Sequence, residues 1–396
     1  MRKREGVLAS TKVLAFEQSV AAPLASRILA EYGADVIKIE PPGGDFSRHW
    51  DSKANGLSSY FVWLNRGKRS VAIDSRSVKG RELLRHLVSG VDVLLINSSP
   101  SSVVRLGLDY ESARALNPTL VHCAISGYGS TGPYRDRKAY DLLVQGETGL
   151  ISLTGSEDHA AKIGVSICDI GAGMLAAQAI LAALLERDRT GQGSTIDVSM
   201  FDAMIEWMGG PITAVANGGS APRREGMRHN MIVPYGPFTA ADGKYVNLAV
   251  EQNREWLTFC RDVLDRPDLA SNPEFATNEL RLNNRRELEA IVETIIAGRD
   301  SEVWFRRLAA AGIPHGAVNG LKSVLDHPQL KARAAVKHAR MGSRGANYIA
   351  LDSQAAASDL PEVGEHTRQI LGEFGLTMNE IRSLEDAGAI IATALG

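Results

Sequence analysis

The sequence is poor in cysteine and lacks the spacings that metal sites and disulfide frameworks use. Its three cysteines, Cys123, Cys168 and Cys260, are scattered along 396 residues without a Cys-x-x-Cys pair or a Cys/His cluster. Neither a metal site nor a set of disulfides is therefore predicted. A reducing cytoplasm fits this cysteine usage best.

The sequence also lacks a large excess of charge of one sign and any long uninterrupted apolar run. A formal net charge of −2 gives no global electrostatic reason to expect nucleic acid or a membrane as a partner. No signal peptide and no transmembrane span are predicted. With 44% apolar and 23% charged residues, the composition is that of an ordinary soluble globular protein.

Two motifs that are common in α/β proteins are missing. No Gly-x-Gly-x-x-Gly follows the first predicted strand, so a conventional dinucleotide site is disfavoured. No Gly-x-Ser-x-Gly occurs at a strand–turn–helix position, so a serine hydrolase has little support.

The N-terminal half contains a regular alternation of strand-like and helix-like segments. This pattern predicts an α/β fold with a Rossmann-like, doubly wound parallel sheet. The predicted strands are 12–16, 33–40, 70–74, 91–97 and 120–126, and the predicted helices are 22–32, 77–89 and 110–116.

The composition changes after residue 216. Residues 217–226 have the composition of a linker and predict a domain boundary. Beyond them, strand-like pieces around a turn at 241–243, followed by amphipathic helices, predict a smaller α+β unit.

Asp169 stands out within the segment 164–174. Val165 and Ile167 alternate with small or polar neighbours as in a strand, and residues 174–186 have the Ala/Leu content of a buried helix. An acid at such a strand-to-helix turn can project into the crevice where α/β sheets bind ligands. It can equally serve as the N-cap of the helix, and local sequence leaves both possibilities open.

Other candidate catalytic groups are weaker. Cys168 has no identifiable histidine partner, and a small residue packed behind the strand is the simpler interpretation. A histidine can act as a general acid or base, or serve a structural role. The four histidines to which this applies are His49, His122, His229 and His315.

Several basic groups lie in predicted loops at the ends of the sheet. They are Arg48 in the segment 43–48, Lys68 with Arg69, Arg105, and Arg135, Arg137 and Lys138. Such loops can dock a phosphorylated ligand, and solvated surface charge is the alternative for each group.

The chain resembles the family III coenzyme A transferases, the CaiB/BaiF or formyl-CoA transferase-like superfamily. The resemblance rests on motifs that occur in the family's order along nearly the whole chain. They are residues 33–40 with 43–45 and Arg48, Asn65 with 68–70, 92–97, 106–108, 126–129 with 132–134, 190–193 with 197–199, and 312–314.

The resemblance implies that Asp169 is the catalytic aspartate. Its carboxylate would attack an acyl-CoA thioester and form an aspartyl anhydride, then an aspartyl-CoA thioester that passes CoA to an acceptor acid. The glycines after Asp169 would let backbone N–H groups approach the oxyanion.

The resemblance also assigns ligand-binding residues and an assembly. Residues similar to those that hold CoA in the family are Ile73, Arg76, Asn97, Arg105, Lys138 and Tyr140, and Asp141 matches an acidic position near the nucleophile. CoA would be a substrate, with no tightly bound cofactor. The implied organisation is a large domain at 1–216, linker and small domain at 217–311, and a return segment at 312–396 that completes the large domain. Two chains would form an interlocked homodimer.

The α-methylacyl-CoA racemases share this fold and are the main alternative. Their motif has a histidine in the segment that corresponds to 137–141, where this chain reads Arg-Lys-Ala-Tyr-Asp. A tyrosine of ordinary pKa is poorly suited to replace it as a proton carrier, so the transferase is favoured. A catalytically silent CoA-binding scaffold is a further alternative, which the preserved Asp169 disfavours.

Two departures from the formyl-CoA transferases bear on the substrate. That branch has a glutamine in place of Val20 and a glycine-rich loop in place of residues 228–232. Formate and oxalate are therefore disfavoured. Arg228 and His229 could bind the distal carboxylate of a succinyl, itaconyl or mesaconyl group, or they could merely belong to the linker.

Overall fold

One seven-stranded sheet runs through the larger part of the chain in the computed structural model, which describes residues 6–350 and 359–392. The strands are β1 (Lys12–Phe16), β2 (Asp35–Glu40), β3 (Arg69–Ile73), β4 (Val93–Ile96), β5 (Val121–Ser126), β6 (Ser194–Ser199), β7 (Tyr235–Thr239), β8 (Tyr245–Ala249), β9 (His315–Ala317), β10 (Val336–Met341), β11 (Arg344–Ile349) and β12 (Ile390–Ile391).

Helices connect these strands and cover the sheet. They are α1 (Ala21–Glu31), α2 (Ser59–Asn65), α3 (Val78–Val88), α4 (Pro100–Leu106), α5 (Tyr110–Leu116), α6 (Asp141–Glu147), α7 (Leu150–Leu153), α8 (Ile167–Thr190), α9 (Met200–Trp207), α10 (Gly209–Ala216), α11 (Asn253–Thr258), α12 (Pro267–Ser271), α13 (Asn278–Asn283), α14 (Arg285–Ile296), α15 (Ser301–Ala310), α16 (Leu321–Leu325), α17 (Pro328–Ala332), α18 (Thr367–Glu373) and α19 (Met378–Asp386).

The large sheet has the order β12-β3-β2-β1-β4-β5-β6. Strands β1 to β6 are parallel, and β12 is antiparallel to β3 at one edge. The predicted doubly wound parallel sheet is therefore confirmed. The strand order reverses between β1 and β4, and such a switch point opens a crevice at the carboxyl ends of the strands.

Helices on both faces of the sheet explain why strands β1 and β4 are mainly apolar. Val13 and Ala15 of β1 pack into a core with residues of α1 and α8, whereas Leu14 faces a second core with α3 and α18. All four residues of β4 are buried. Strands covered on both sides read as continuous apolar runs, as these do.

Helix α8 begins earlier than the sequence pattern predicts. A strand was expected up to Asp169 with the helix starting near residue 174, but the helix starts at Ile167. The Asp141 carboxylate accepts hydrogen bonds from the N–H groups of Cys168 and Asp169, which satisfies two free donors of the first helical turn. Asp169 therefore lies inside the first turn of α8, and the strand prediction for this segment is wrong.

Close packing of α8 against α1 requires a glycine at position 173. A Cβ placed there would lie 2.5 Å from the Ala21 carbonyl oxygen and 3.1 Å from the Leu24 Cβ. Ala21 is the first residue of α1. Gly173 thus sets how closely the start of α1 approaches the start of α8.

Within the described part of the chain, α8 alone is long and apolar enough to cross a membrane by length and composition. Half of its apolar window is buried within the fold, where it packs on α1, α9, β5 and β6. A core helix of a globular domain has these properties too, so they are weak evidence for a membrane span.

The second compact unit consists of residues 151–162 and 213–327. Its three strands form an antiparallel sheet in the order β7-β8-β9. Its core contains Trp256, Phe259 and Trp304, which belong to amphipathic helical segments. This unit has α+β architecture.

The observed division of the chain differs from the predicted boundaries at 217 and 312. Residues 151–162 also belong to the second unit, and the return to the first unit begins at Pro328. Strand β9 explains the second shift, because His315 pairs with Leu248 of β8 and keeps this part of the chain in the small sheet. After Pro328 the chain contributes β10, β11, α18, α19 and β12 to the first unit.

We expect Gly173→Ala to destabilise the protein by about 1–3 kcal/mol, because a side-chain atom at this position forces α1 away from α8. Gly372→Ala is the matched control, since this helical glycine in α18 has no atom within 4 Å of an added Cβ. The control should be neutral or stabilise by about 0.4–1 kcal/mol. Urea unfolding measures both, and equal effects would contradict the packing role of Gly173.

Candidate active site

The crevice where the strand order reverses holds a cavity of about 390 Å³. Its walls come from the loops after β1, β4 and β5, the segment before α6 and the first turn of α8. The lining residues that matter for the chemistry are Gln18, Ser19, Ala21, Phe46, Asn97, Lys138, Tyr140 and Asp169.

Hydrogen bonds across the switch point hold the loop between β1 and α1. The Gln18 N–H donates to Asn97 Oδ1 at 2.9 Å, and Asn97 Nδ2 donates to the Gln18 carbonyl oxygen at 2.7 Å. The next residue, Ser19, has φ of +69°, a left-handed conformation that a residue other than glycine rarely adopts. Such strain persists only where the surroundings fix the backbone, and it is found at functional sites.

Asp169 carries a perturbed carboxyl group. Burial, with the nearby charge of Asp141 as the second cause, raises its pKa from the usual 3.8 to about 7. A hydrogen bond from the Ala21 N–H, at the start of α1, acts in the opposite direction and lowers it. A carboxylate in this environment is more basic than usual, and a shift of this kind in a cleft is typical of a functional group.

Asp141 takes the helix-capping role that the sequence left open for Asp169. One of its oxygens accepts hydrogen bonds from the Cys168 N–H at 2.7 Å and the Asp169 N–H at 3.3 Å. The other accepts a hydrogen bond from Gln145 Nε2 at 2.6 Å. Because Asp141 caps α8, the carboxylate of Asp169 is left to face the cavity.

The glycines after Asp169 do not serve the role expected of them. Gly171 and Gly173 lie within α8, where backbone N–H groups donate to carbonyls one turn earlier and are not directed at a ligand. A Cβ at Gly171 would lie 2.7 Å from the end of the Met204 side chain, so this glycine allows helix packing. The sequence missed Ala21, whose N–H group faces the Asp169 carboxylate.

Three of the six predicted CoA-binding residues line the cavity with Asp169. Asn97 follows β4, and Lys138 and Tyr140 precede α6. Tyr140 is 70% exposed. Among the residues that the structure describes, Lys138 forms no hydrogen bond or ion pair, so its charge is available to an anionic ligand.

The other three predicted CoA-binding residues do not line this cavity. Ile73 is the buried last residue of β3 and pairs with Ile390. Arg76 follows it and bonds to Asp74, with its side chain 86% exposed. Arg105, in α4, donates to Ser102 Oγ.

Arg228 and His229 belong to the second unit, where both have partners. The Arg228 guanidinium lies 3.8 Å from a Glu289 oxygen, 3.9 Å from a Glu293 oxygen and over the ring of Phe238. The His229 ring stacks on Tyr235 with centroids 4.8 Å apart. These contacts are structural and give no support to a ligand-binding role.

Three of the predicted basic loop groups are neither solvated nor open to a ligand. Arg48 pairs with Glu40 at 2.6 Å, Lys68 with Glu17 at 2.7 Å, and Arg69 with Glu373 at 2.9 Å. Each of these cations is buried or nearly so. Both alternatives that the sequence left open for these residues are therefore wrong.

The other candidate nucleophiles and bases do not line the cavity of Asp169. They are Cys168, His49, His122 and His315. Cys168 is buried, and burial together with the neighbouring Asp141 and Asp169 charges raises the pKa of its thiol well above the usual range. His122 lines a different cavity of about 560 Å³ between α4, β5 and β6, and burial lowers the pKa of its ring. His49 and His315 are exposed and do not line the cavity of Asp169.

We expect Asp141→Asn to lower the pKa of the Asp169 carboxyl from about 7. The substitution removes the neighbouring charge but keeps an oxygen that can cap α8, and the burial that remains keeps the pKa above 3.8. Carbon-13 NMR titration of the carboxyl measures the shift. Asp109→Asn, at the aspartate that caps α5, is the matched control and should leave the titration unchanged. An unaltered Asp169 titration in Asp141→Asn would contradict the proposed charge coupling.

Comparison with known proteins places this site in an established family. CoA-transferase family III matches residues 8–367 of the chain. The succinate–glutarate CoA-transferase of Agrobacterium fabrum is 33% identical, covering 94% of this chain and 97% of that protein. The formyl-CoA:oxalate CoA-transferase of Streptomyces avermitilis is 32% identical, covering 97% of this chain and 99% of that protein.

The solved structures agree with the sequence comparison. The crystal structure of a CaiB/BaiF family protein from Brucella suis is similar with a TM-score of 0.81 and 35% identity. It covers 94% of this chain and 100% of its own. The predicted resemblance is confirmed, and the chain is a member of CoA-transferase family III.

Proposed function

We propose that the protein transfers CoA from a dicarboxylic acyl-CoA, such as succinyl-CoA, to a second carboxylic acid, with Asp169 as the nucleophile. The observation that carries this proposal is the carboxylate of Asp169, which faces the switch-point cavity with Asn97, Lys138 and Tyr140. Its capping role at α8 is taken by Asp141, and its raised pKa makes it a better nucleophile than an exposed aspartate.

The reaction divides into two pairs of exchanges. The Asp169 carboxylate adds to the thioester carbonyl, and the C–S bond breaks to give an aspartyl anhydride and CoA thiolate. The thiolate then adds to the aspartyl carbonyl, which releases the donor acid and leaves an aspartyl-CoA thioester. The acceptor carboxylate attacks this thioester, which releases CoA thiolate and forms a second anhydride between Asp169 and the acceptor acid. The thiolate then attacks the acceptor's carbonyl in this anhydride, which forms the product acyl-CoA and regenerates the Asp169 carboxylate. Each step conserves the activated acyl bond.

The residues around Asp169 have distinct roles in this scheme. The Ala21 N–H and the Lys138 ammonium supply positive charge at the site where the oxyanions and the CoA thiolate develop. Asn97, Lys138 and Tyr140 would bind the thioester end of CoA. Ile73, Arg76 and Arg105 would contact its remote part, with the two arginines suited to phosphate.

Dicarboxylic acids are the substrate class that the relatives favour. One relative is named for succinate and glutarate, which both carry two carboxylates, and the other is named for formyl-CoA and oxalate, of which oxalate carries two.

The racemase alternative has less support from the site. A racemase needs two proton carriers on opposite faces of the substrate, and no histidine lines the cavity that Asp169 faces within the described residues. Tyr140 lies in the segment that corresponds to the racemase histidine.

We expect wild-type protein to exchange CoA between succinyl-CoA and a panel of acids, and Asp169→Asn to lose at least about 10³-fold in kcat because the nucleophile is gone. Mass analysis of the CoA products measures the exchange. Hydroxylamine should modify Asp169 only when acyl-CoA is present. Asp262→Asn, at an aspartate of the second unit paired with Arg261, is the control and should remain active.

The panel should contain oxalate, succinate, glutarate and mesaconate, with acetate and butyrate as monocarboxylic controls. Equal rates with the monocarboxylic acids would contradict the dicarboxylate preference. If the protein removes the α-stereochemistry of a branched acyl-CoA and exchanges CoA with none of the acids, it is a racemase and not a transferase. If the protein shows neither activity, the catalytically silent CoA-binding scaffold is the alternative that remains.

We also propose that the enzyme is a cytoplasmic homodimer, as the resemblance implies. In the first unit, Met174, Leu175 and Leu185 are spaced along the outer side of α8 and remain exposed. Trp207 of α9, the helix that packs on α8, is 56% exposed. An apolar surface of this kind is typical of an interface.

We expect sedimentation to give twice the mass of one chain, and Leu185→Glu with Trp207→Glu to weaken the dimer by desolvating charge at its interface. Val78→Glu, at an exposed valine of α3, is the control and should leave the mass unchanged. A wild-type monomer would contradict the proposed assembly.

A further inference from the structure

A cluster of buried charges lies directly behind the loop that faces Asp169. Its centre is Glu17, the residue after β1, which is 5% exposed. One carboxylate oxygen of Glu17 accepts hydrogen bonds from Lys68 Nζ at 2.7 Å and Lys38 Nζ at 3.4 Å, and the other accepts one from Ser26 Oγ at 2.6 Å. Burying so many charges is unfavourable unless each is paired, as here.

Lys38 and Lys68 link the Glu17 carboxylate to the backbone before and after the strained loop that contains Ser19. Lys38 Nζ donates to the Glu17 carbonyl oxygen at 3.5 Å and to Asp45 Oδ2 at 2.8 Å. Lys68 Nζ donates to the Pro23 carbonyl oxygen at 3.0 Å and to Asn65 Oδ1 at 3.0 Å. Each of these ammonium groups makes three contacts, so their positions are fixed.

The segment between Glu17 and Pro23, which we call the two anchors, is the part of the chain that faces Asp169. Glu17 is held at one end and Pro23 at the other, and between them lie Ser19, with φ of +69°, and Ala21, whose N–H faces Asp169. Asp45, the third anchor, precedes Phe46, which also lines the cavity. The cluster therefore adjoins three parts of the cavity wall without itself lining the cavity.

We propose that Glu17 and Lys68 are positioning residues for the covalent steps: together they hold the strained segment between β1 and α1 so that the Ala21 N–H is directed at the Asp169 carboxylate. This proposal rests on Asp169 acting as the nucleophile. Misplacement of a reacting geometry by about 1 Å can lower a rate about 100-fold, so a fixed backbone donor matters to the chemistry.

Lys68→Met tests the proposal in the full-length protein. It should lower kcat for CoA exchange by about 10- to 100-fold with little change in KM for acyl-CoA. The acid limb of the pH–rate profile should move to higher pH, because loss of the Ala21 hydrogen bond raises the pKa of Asp169 further. The other charged groups near Asp169 are Asp141 beside it and Arg135, Arg137 and Lys138 in the cavity wall, and all four are unchanged in this variant.

Arg69→Met is the matched control. Arg69 is also a buried cation of the first unit with two carboxylate partners, Asp35 and Glu373, and it contacts nothing in the cavity. The Arg69→Met variant should lose thermal stability as Lys68→Met does, but its kcat and pH–rate profile should equal those of the wild type. Equal kinetics in the two variants would overturn the proposal.

Ser26→Ala covers the case in which Lys68→Met does not fold. It removes one donor to the Glu17 carboxylate without leaving an unpaired charge, and it should give a smaller loss of kcat with the same direction of the pH shift. Wild-type kcat and pH profile in Ser26→Ala would then overturn the proposal. Failure of the proposed function is recognised separately, because hydroxylamine would then not label Asp169 in the wild type or in Arg69→Met.

Discussion

The start of α8 is the point on which the site depends, because two carboxylates meet there and only one of them can bond to the helix. Asp141 accepts hydrogen bonds from the N–H groups of Cys168 and Asp169, and the positive end of the helix dipole favours its charge. Asp169 is then left with the Ala21 N–H, in a buried position beside a charge of the same sign. Asp141, 28 positions away in sequence, is thereby the second cause, after burial, of the raised pKa of Asp169.

The strand order and the buried charges make this arrangement rigid. The reversal between β1 and β4 brings Gln18 and Asn97 into mutual hydrogen bonds, and the paired charges of Glu17, Lys38 and Lys68 lie directly behind them. Hydrogen bonds and ion pairs are directional, whereas apolar contacts of equal area are not. A polar cluster therefore fixes the path of the strained Ser19 backbone more narrowly than apolar packing could.

The sequence predicted most of the large sheet because its strands are long apolar runs separated by helical patterns. It failed at α8, since Val165 and Ile167 alternate by chance over a few residues, whereas the cap that starts the helix comes from Asp141. It also failed for Arg48 and Lys68, because local sequence does not reveal that a basic residue has a distant buried carboxylate as its partner. The resemblance gave Asn97, Lys138, Tyr140 and Asp169 together, and the structure brings these four to one cavity.

The environment of Asp169 also bears on why the covalent route is favourable in the proposed mechanism. A carboxyl whose pKa is about 7 in the folded protein and 3.8 in a free chain destabilises the fold when it ionises. This destabilisation is absent below pH about 4, grows as the pH rises from about 4 to about 7, and is complete above pH about 7, where the carboxyl is ionised in both states. The aspartyl anhydride and the aspartyl-CoA thioester are both neutral at this side chain. Forming the anhydride moves the negative charge from Asp169 to the CoA thiolate, and the later release of the donor carboxylate removes this charge from the site. The same burial and the same Asp141 charge that raise the pKa therefore favour the aspartyl-CoA thioester over the free Asp169 carboxylate.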